Sequence, residues 1–229
     1  MPDVVTGAEL DRAVRAELSS LASLNGQAVS RHLVMAGRLL HEDPETAYAH
    51  AVAARERAGR VAAVREAAGL AAYKTGRFNE ALGELRAARR ISGDHSLLPV
   101  MADCERGLGR PERAIAMLGS AEARGLDTSG QVELLIVASG ARRDMQQPAA
   151  AALLLQGPEL VASGRKPWSA RLFYAYAEAL LESDREGEAR AWFEHAAAAD
   201  ADGETDAGER LDQLDGVVIE LGDEPDPLE

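Results

Sequence analysis

The stretch Gly69-Leu-Ala-Ala-Tyr-Lys-Thr-Gly-Arg-Phe-Asn-Glu-Ala-Leu-Gly-Glu-Leu-Arg-Ala-Ala88 decides the fold of this chain. Small residues stand at Gly69, Ala81 and Ala88, and Gly69 and Ala81 are expected to face each other where two helices cross. Gly76 lies between the two segments, where it can turn the chain without steric strain. The stretch therefore predicts two helices joined by a short turn.

The same template of small residues recurs every 33 to 39 residues. Its two main small positions are Ala36 and Ala47, Gly69 and Ala81, Ala102 and Ala114, Ala138 and Ala150, and Ala177 and Ala189. One helix pair cannot cover its own apolar face, so a repeat of this length is typical of stacked helix pairs. The repeat predicts an all-α solenoid of about five pairs.

The composition supports a helical core built from small side chains. The 229 residues are 46% hydrophobic but only 4% aromatic, so alanine and leucine must supply most of the packing. Alanine favours helix over strand. The length suits one repeat domain.

Signals at the start of the chain predict an extra helix in residues 1–27. Thr6 and Glu9 have the spacing of a capping box, which predicts a helix from there to about Leu24. Asn25-Gly26 is a typical stop and turn. Repeat one would then pair helices near 28–41 and 44–57, with Asp43-Pro44 opening the second.

The end of the repeat domain, 28–199, is less regular. Repeat four is degenerate because Met145 stands where the turn glycine is expected, and Gly157-Pro158 ends its second helix early. In repeat five Asp184 is expected to cap the second helix. Residues 200–216 should form a terminal capping helix that opens at Asp206, followed by an acidic tail, 217–229.

The repeats resemble the tetratricopeptide repeat (TPR) family. The matching positions are Gly69, Tyr73, Gly76, Phe78, Ala81, Leu85 and Ala88, and the likeness is strongest in repeats two, three and five. The tryptophan and closing proline of the family are mostly missing. The resemblance implies a divergent member with a right-handed solenoid. Nearly all of the 25 basic residues are arginine, and alanine is abundant, which indicates a bacterial source.

The resemblance also implies a function, because TPR proteins bind extended or helical segments on the concave face formed by the first helix of each pair. The family's clamp for C-terminal carboxylates is not matched. The inward positions carried over to this chain include Leu33, Gly37, Leu40, Ser139 and Leu181. The predicted partner-binding residues are Glu66, Leu70, Tyr73, Lys74, Asp103, Arg106, Arg142, Arg143, Arg171, Tyr174 and Glu178.

Four cations in this set suggest a partner chemistry. Lys74, Arg106, Arg142 and Arg143 occupy similar places in three successive repeats, and a row of cations would favour an acidic segment. The alternative is that these arginines are solvated or paired with acids such as Asp103. Tyr73 and Tyr174 are either groove contacts or core residues.

The charge of −13 is unevenly distributed. Residues 1–171 hold 22 basic and 20 acidic residues, whereas residues 172–229 hold 3 and 18. A chain of this charge repels phosphate, so no nucleic-acid partner is expected. The acidic tail either docks on the cations as a tethered competitor or only keeps the protein soluble.

No motif points to catalysis, a metal or a cofactor. The five histidines form no metal-binding spacing, and no phosphate-binding loop or nucleophile elbow is present. Cys104 is the only cysteine and is expected to be packed. The sequence therefore predicts a non-enzymatic interaction scaffold. Two alternatives stay open: an accessory subunit or cryptic enzyme on a helical scaffold, and a helical-repeat nucleic-acid binder.

The sequence also predicts a cytoplasmic location without a membrane segment. An acid at Asp3 does not fit a secretory signal, and the longest apolar run, 149–155, is far below the roughly 18 residues that a membrane span needs. Homo-oligomerisation through a terminal face of the solenoid is left open.

Overall fold

The computed structural model describes residues 4–161 and 166–216, which form helices and turns without any strand. The all-α prediction is therefore confirmed for the described residues. Thirteen helices lie in these two ranges: α1 Arg12–Leu18, α2 Ser23–Leu39, α3 Pro44–Ala58, α4 Ala62–Lys74, α5 Phe78–Ser92, α6 Leu98–Gly107, α7 Pro111–Leu118, α8 Ala121–Arg124, α9 Thr128–Asp144, α10 Pro148–Leu155, α11 Ser169–Leu181, α12 Glu186–Ala199 and α13 Ala207–Leu214.

The helices pack mainly as five pairs that follow one another along the chain. The pairs are α2 with α3, α4 with α5, α6 with α7, α9 with α10, and α11 with α12. Neighbouring pairs also touch, through α3 and α4, α5 and α6, and α10 and α11. The first helices of the pairs contact each other as well, α2 with α4, α6 with α9, and α9 with α11.

Four of the pairs share one turn geometry. Gly76, Gly109, Gln146 and Asp184 all have a left-handed backbone, with φ of 72°, 68°, 58° and 59°. The N–H of the residue after each one donates to the carbonyl five residues earlier, at 2.8 to 3.0 Å. This is the Schellman arrangement, which ends a helix and satisfies its last carbonyls. We call these four positions the turn residues.

The turn residues correct the register predicted for repeat four. The left-handed residue is Gln146, one position after Met145, so the small positions shift by one. Ala151 is fully buried and takes the place expected for Ala150, which is exposed. Ser139 takes the place expected for Ala138, and its hydroxyl donates to the Ala151 carbonyl at 3.2 Å. Every position of repeat four therefore lies one residue later in the chain than predicted.

The turn in repeat five is also a correction. Asp184 was expected to cap α12, but it is itself the left-handed turn residue, and Arg185 directly precedes the helix. Asp tolerates the left-handed conformation better than most residues. Asp184 therefore acts through its backbone conformation and not as a side-chain cap.

The close helix crossings predicted from small residues are present. A Cβ atom added to Gly69 would lie 2.6 Å from Cδ2 of Leu85, so α4 and α5 could not pack as they do with a larger residue there. Gly69 was expected to face Ala81, whereas its nearest neighbour is Leu85. Ala81 and Ala102 are fully buried.

The N-terminal helix is shorter than predicted. Thr6 and Glu9 do bond to each other, with the Thr6 hydroxyl donating at 3.1 Å, but α1 begins only at Arg12. The carboxylate of Asp11 caps it by accepting from the Ala13 N–H at 2.8 Å. α2 begins at Ser23 and continues through residues 25 and 26, where a stop was predicted.

Repeat three contains a short additional helix. The second helix of repeat three breaks after Leu118, because the hydroxyl of Ser120 caps a separate short helix, α8. α13 begins after Asp206, as predicted. The predicted acidic tail, 217–229, lies outside the described residues.

The largest core cluster surrounds the fully buried Phe193 in the last helix pair. Trp192 stacks edge-on against Tyr176, with ring centres 5.1 Å apart, and Trp168 packs on the same cluster. Both tryptophans therefore belong to the core of the last helix pair. No helix in the described ranges is both long and apolar enough to cross a bilayer.

Candidate functional site

The first helices of the pairs carry two rows of equivalent residues on one face. Counting back three residues from each turn residue gives Tyr73, Arg106, Arg143 and Leu181, which we call the first row. Counting back six residues gives Leu70, Asp103, Gly140 and Glu178, which we call the second row. Six of these eight residues were predicted to bind a partner; Leu181 was among the wider set of inward positions.

Each first-row residue of α4, α6 and α9 reaches the second row of the next first helix. The hydroxyl of Tyr73 donates to Asp103 at 2.6 Å, which joins α4 to α6. Nη2 of Arg143 donates to Glu178 at 2.7 Å, which joins α9 to α11. The rows thus cross-link neighbouring helix pairs, and the repeat sets their spacing.

Arg106 also contacts the second row of the next first helix, but it does so through the backbone, because its second-row neighbour is Gly140. A Cβ atom added to Gly140 would lie 2.7 Å from Cζ of Arg106, so the guanidinium lies directly on the backbone of α9. From there it donates to Asp144 at 2.8 and 3.2 Å and to Asp103 at 2.8 Å. Burial alone would lower the pKa of Arg106, but Asp144 and Asp103 outweigh burial and raise it.

Gly140 is a site residue that the sequence reasoning missed. The signal that could have found it is the register: counting from Gln146, Gly140 aligns with Leu70 and Asp103, whereas counting from Met145 it does not. The cause of the error is that a glutamine, in place of glycine, holds the left-handed turn.

Glu178 is the most enclosed charge of this face, at 8% exposed. Its carboxylate accepts from Arg143 on one side and from Nε of Arg210 on the other, at 2.7 and 2.8 Å. Burial alone would lower the pKa of Arg143, but the carboxylates of Glu182 and Glu178 raise it. α9, α11 and α13 are therefore held together through one buried carboxylate.

Arg171 and Tyr174 extend the face towards the end of the described chain. Arg171 donates to Glu133 at 2.6 Å and to Glu204 at 2.9 Å. The Tyr174 ring packs edge-on against Phe193, with centres 5.5 Å apart. Burial and a hydrogen bond to Asp206 raise the pKa of Tyr174.

Four predicted residues meet at one open cavity of about 640 Å³, which we call the C-terminal cavity. They are Arg106, Arg143, Arg171 and Tyr174, and the segment 203–206 and Glu209 form its far wall. A second cavity of about 530 Å³ adjoins it and shares Arg106, Gly140 and Arg143. Residues from α6, α9 and α11 thus line one cavity.

Two other predicted residues line a different site, which we call the N-terminal groove. Glu66 and Leu70 form one side of an apolar cavity of about 210 Å³ between α1, α2 and α4. The groove is lined by Leu10, Val14, Leu33, Ala36, Gly37, Leu40, Ala63, Glu66, Ala67 and Leu70. Burial, with the nearby charges of Asp94 and Glu17, raises the pKa of Glu66.

The predicted row of four cations is corrected. Lys74 is exposed and is not equivalent to Arg106, because they lie two and three residues before their turn residues. Arg142 donates to Gln147 at 2.7 Å at the turn before α10. Arg106 and Arg143 are equivalent, but both are held by carboxylates of the chain itself. The alternative, that the arginines pair with acids such as Asp103, is the one the structure supports.

The chemistry available elsewhere in the described residues is limited. They contain no group of three or more His, Cys, Asp or Glu side chains that could hold a metal ion. Burial and the charges of Asp103 and Glu105 raise the pKa of Cys104 to about 12, so its thiol stays protonated at neutral pH.

One polar pair was missed entirely. Nδ1 of His32 in α2 lies 2.9 Å from Nδ1 of His50 in α3. Burial lowers the pKa of both imidazoles, and the charges of Arg57 and Arg31 act in the same direction on His32. The contact joins two helices, so no spacing within one helix could have shown it.

Comparison with known proteins adds no family: no protein-family model matches the chain, and no curated protein sequence matches it. The candidate sites therefore rest on their geometry.

Proposed function

We propose that this chain is a TPR-like, right-handed α-solenoid that acts as an interaction scaffold in a bacterial cytoplasm. In this proposal the first helices α2, α4, α6, α9 and α11 line a concave face, and a segment of a partner protein binds along it. The turn geometry shared by four pairs and the contacts between successive first helices support a regular stack.

The observation that carries the proposal is the C-terminal cavity. Three first helices each contribute an arginine or an aromatic side chain to one open surface, and the two adjoining cavities share Arg106, Gly140 and Arg143. A surface that crosses several repeats suits an extended segment. A small-molecule enzyme site is usually a deeper pocket that encloses most of its ligand.

The pairing of the arginines changes the expected partner. An acidic segment would have to displace Asp103 and Asp144 from Arg106, and Glu178 and Glu182 from Arg143. Such an exchange gains little, because each ion pair formed replaces one that is lost. The scaffold proposal therefore does not depend on an acidic partner.

Position-specific photo-crosslinking in a lysate of the source cells tests the proposal. A benzoylphenylalanine would be placed at Lys74 or at Glu209. Lys74 is exposed on the proposed binding face, and Glu209 is exposed at the edge of the C-terminal cavity. The matched controls are Glu56 in α3 and Glu112 in α7, which are exposed on second helices.

We expect the same partner protein to be crosslinked from Lys74 and Glu209 and not from the two control positions. Because all four positions are exposed, the probe should not disturb the core. Adducts that form only from α3 and α7, or from no position, would contradict binding on the first helices.

A further inference from the structure

Glu66 is unlike the other buried or half-buried carboxylates of this face. Asp103 and Glu178 each accept hydrogen bonds from at least two side chains. Glu66 is half-buried in α4, and within the described residues no hydrogen bond or ion pair reaches its carboxylate. A carboxylate that loses water without gaining a donor is destabilised in its charged form.

The charges that act on Glu66 are both negative. They come from Asp94 and Glu17, and together with burial they raise the pKa of Glu66. Neither acid is free to turn away, because Glu17 accepts from the Ala63 N–H at 3.0 Å and Asp94 accepts from Ser96 at 2.8 and 2.9 Å. The potential at Glu66 therefore favours a cation.

The surface next to Glu66 is apolar. The N-terminal groove is walled by aliphatic side chains such as Leu33, Leu40 and Leu70, and Gly37 leaves its rim open. Its volume of about 210 Å³ is below the roughly 300–1,000 Å³ of small-molecule sites. It is the right size for one or two side chains of a larger partner.

We infer that the N-terminal groove binds a partner-protein segment in which an aliphatic side chain stands beside a lysine or arginine. The aliphatic side chain fills the groove, and the cation pairs with Glu66. This inference rests on the proposed function and specifies its partner chemistry. It replaces the acidic segment predicted from the arginines with a basic one.

Charge complementarity selects this occupant. A cation at Glu66 gains a partner without displacing one, and the negative charges of Glu17 and Asp94 add to the attraction. An acidic segment would be repelled by Glu66 itself and by the charges of Glu17 and Asp94 that act on it. The net charge of −13 also attracts a basic partner at long range.

Selection from a random peptide library displayed on phage tests the inference, with the full chain immobilised at 150 mM salt. We expect enriched peptides to carry an aliphatic residue next to lysine or arginine. The affinities of the selected synthetic peptides are then measured on the full chain by fluorescence anisotropy.

Two variants probe the two halves of the site. Glu66→Gln removes the charge at nearly constant size and should weaken binding about tenfold. Gly37→Leu places a side chain across the groove and should weaken binding at least tenfold. A Cβ atom at residue 37 meets nothing within 4 Å, so the fold should tolerate the substitution.

Each variant has a matched control. Glu56→Gln removes an exposed carboxylate from α3, and Gly83→Leu adds a leucine at an exposed helical glycine of α5 whose Cβ would also meet nothing within 4 Å. Both controls should bind the selected peptides as the wild type does.

Three results would overturn the inference. One is enrichment of acidic peptides, and another is binding that is unchanged by both Glu66→Gln and Gly37→Leu. The third is no enrichment at all. In the second case crosslinking from Lys74 and Glu209 decides separately whether the scaffold proposal survives, because those positions do not line the groove.

Discussion

The N-terminal groove lies on α2 and α4 and the C-terminal cavity on α6, α9 and α11, and the two regions satisfy their charges in opposite ways. Around the cavity, Arg106, Arg143 and Arg171 each bind two carboxylates of the chain. In the groove, Glu66 has no partner among the described residues and is surrounded by aliphatic side chains. One region uses its charges to join helices, and the other leaves a charge for a ligand.

The difference shows that a cation on a predicted binding face is not by itself a sign of binding. Each first-row arginine binds an acid of the next first helix, Arg106 binding Asp144 and Arg143 binding Glu178. Such a pair is already satisfied, and a ligand must break it before binding. An unpaired half-buried charge is the better sign of a recognition site.

The largest expected effect tests whether the ion pairs of the C-terminal cavity are structural. Glu178→Ala would leave Arg143 and Arg210 without their shared, nearly buried partner, which should lower the free energy of unfolding by about 3 kcal/mol. Urea denaturation measures the change.

Glu182→Ala is the matched control for that experiment. Glu182 also binds Arg143, but its side chain is 43% exposed, so its removal should change stability by less than about 1 kcal/mol. Equal effects from the two substitutions would show that burial does not distinguish them, and the contrast between the two regions would lose its basis.

The helical fold could be predicted from the sequence because it depends on local signals. The alanine and glycine positions and the turn at Gly76 specify helices and crossings that the structure contains. The register of repeat four could not be predicted, because Gln146 adopts the left-handed turn although glycine would do so more easily. The error moved every predicted inward position of α9 by one residue.

The site could be predicted only as a set of residues on a face. The sequence assigned Arg106, Arg143 and Arg171 to the first helices, and all three line the C-terminal cavity. The sequence could not show which arginines pair with acids, because these contacts depend on how the side chains of Asp144 and Glu133 are oriented in the folded chain. The charge that stays unpaired, Glu66, is visible only in three dimensions.

A second comparison uses the same substitution in both regions. Gly140→Ala should destabilise the fold by about 1–2 kcal/mol, because the new methyl group displaces Arg106 from its hydrogen bonds with Asp103 and Asp144. Gly37→Ala should instead stabilise it by up to about 1 kcal/mol, because alanine favours helix and nothing lies within 4 Å of the added atom. Thermal and urea unfolding of both variants give the two signs.

The double variant Gly140→Ala with Arg106→Ala separates the causes. If the cost of the methyl group comes from displacing the guanidinium, it should disappear when that side chain is absent. A Gly140→Ala variant as stable as the wild type would show that Arg106 can move without loss, and would contradict the structural role given to the C-terminal cavity.

The smallest expected effect is a pH dependence confined to the N-terminal region. Burial lowers the folded-state pKa of His32 and His50 below the unfolded value of 6.5, so the folded state binds fewer protons than the unfolded one. The stability that this pair contributes is therefore present above pH 6.5 and is lost as the pH falls through the folded pKa. Amide hydrogen exchange, corrected for the intrinsic rate, should show weaker protection of α2 and α3 at pH 5.5 than at pH 7.5.

His50→Gln makes that test specific, because it removes one imidazole and should flatten the response of α2 and α3. α9 and α10 are the internal reference, since neither helix contains a histidine. Protection that falls equally in both regions would point to general acid destabilisation. A fall limited to α2 and α3 that His50→Gln abolishes would mean that two neutral imidazoles join the helices beside the groove, where charged pairs join those around the cavity.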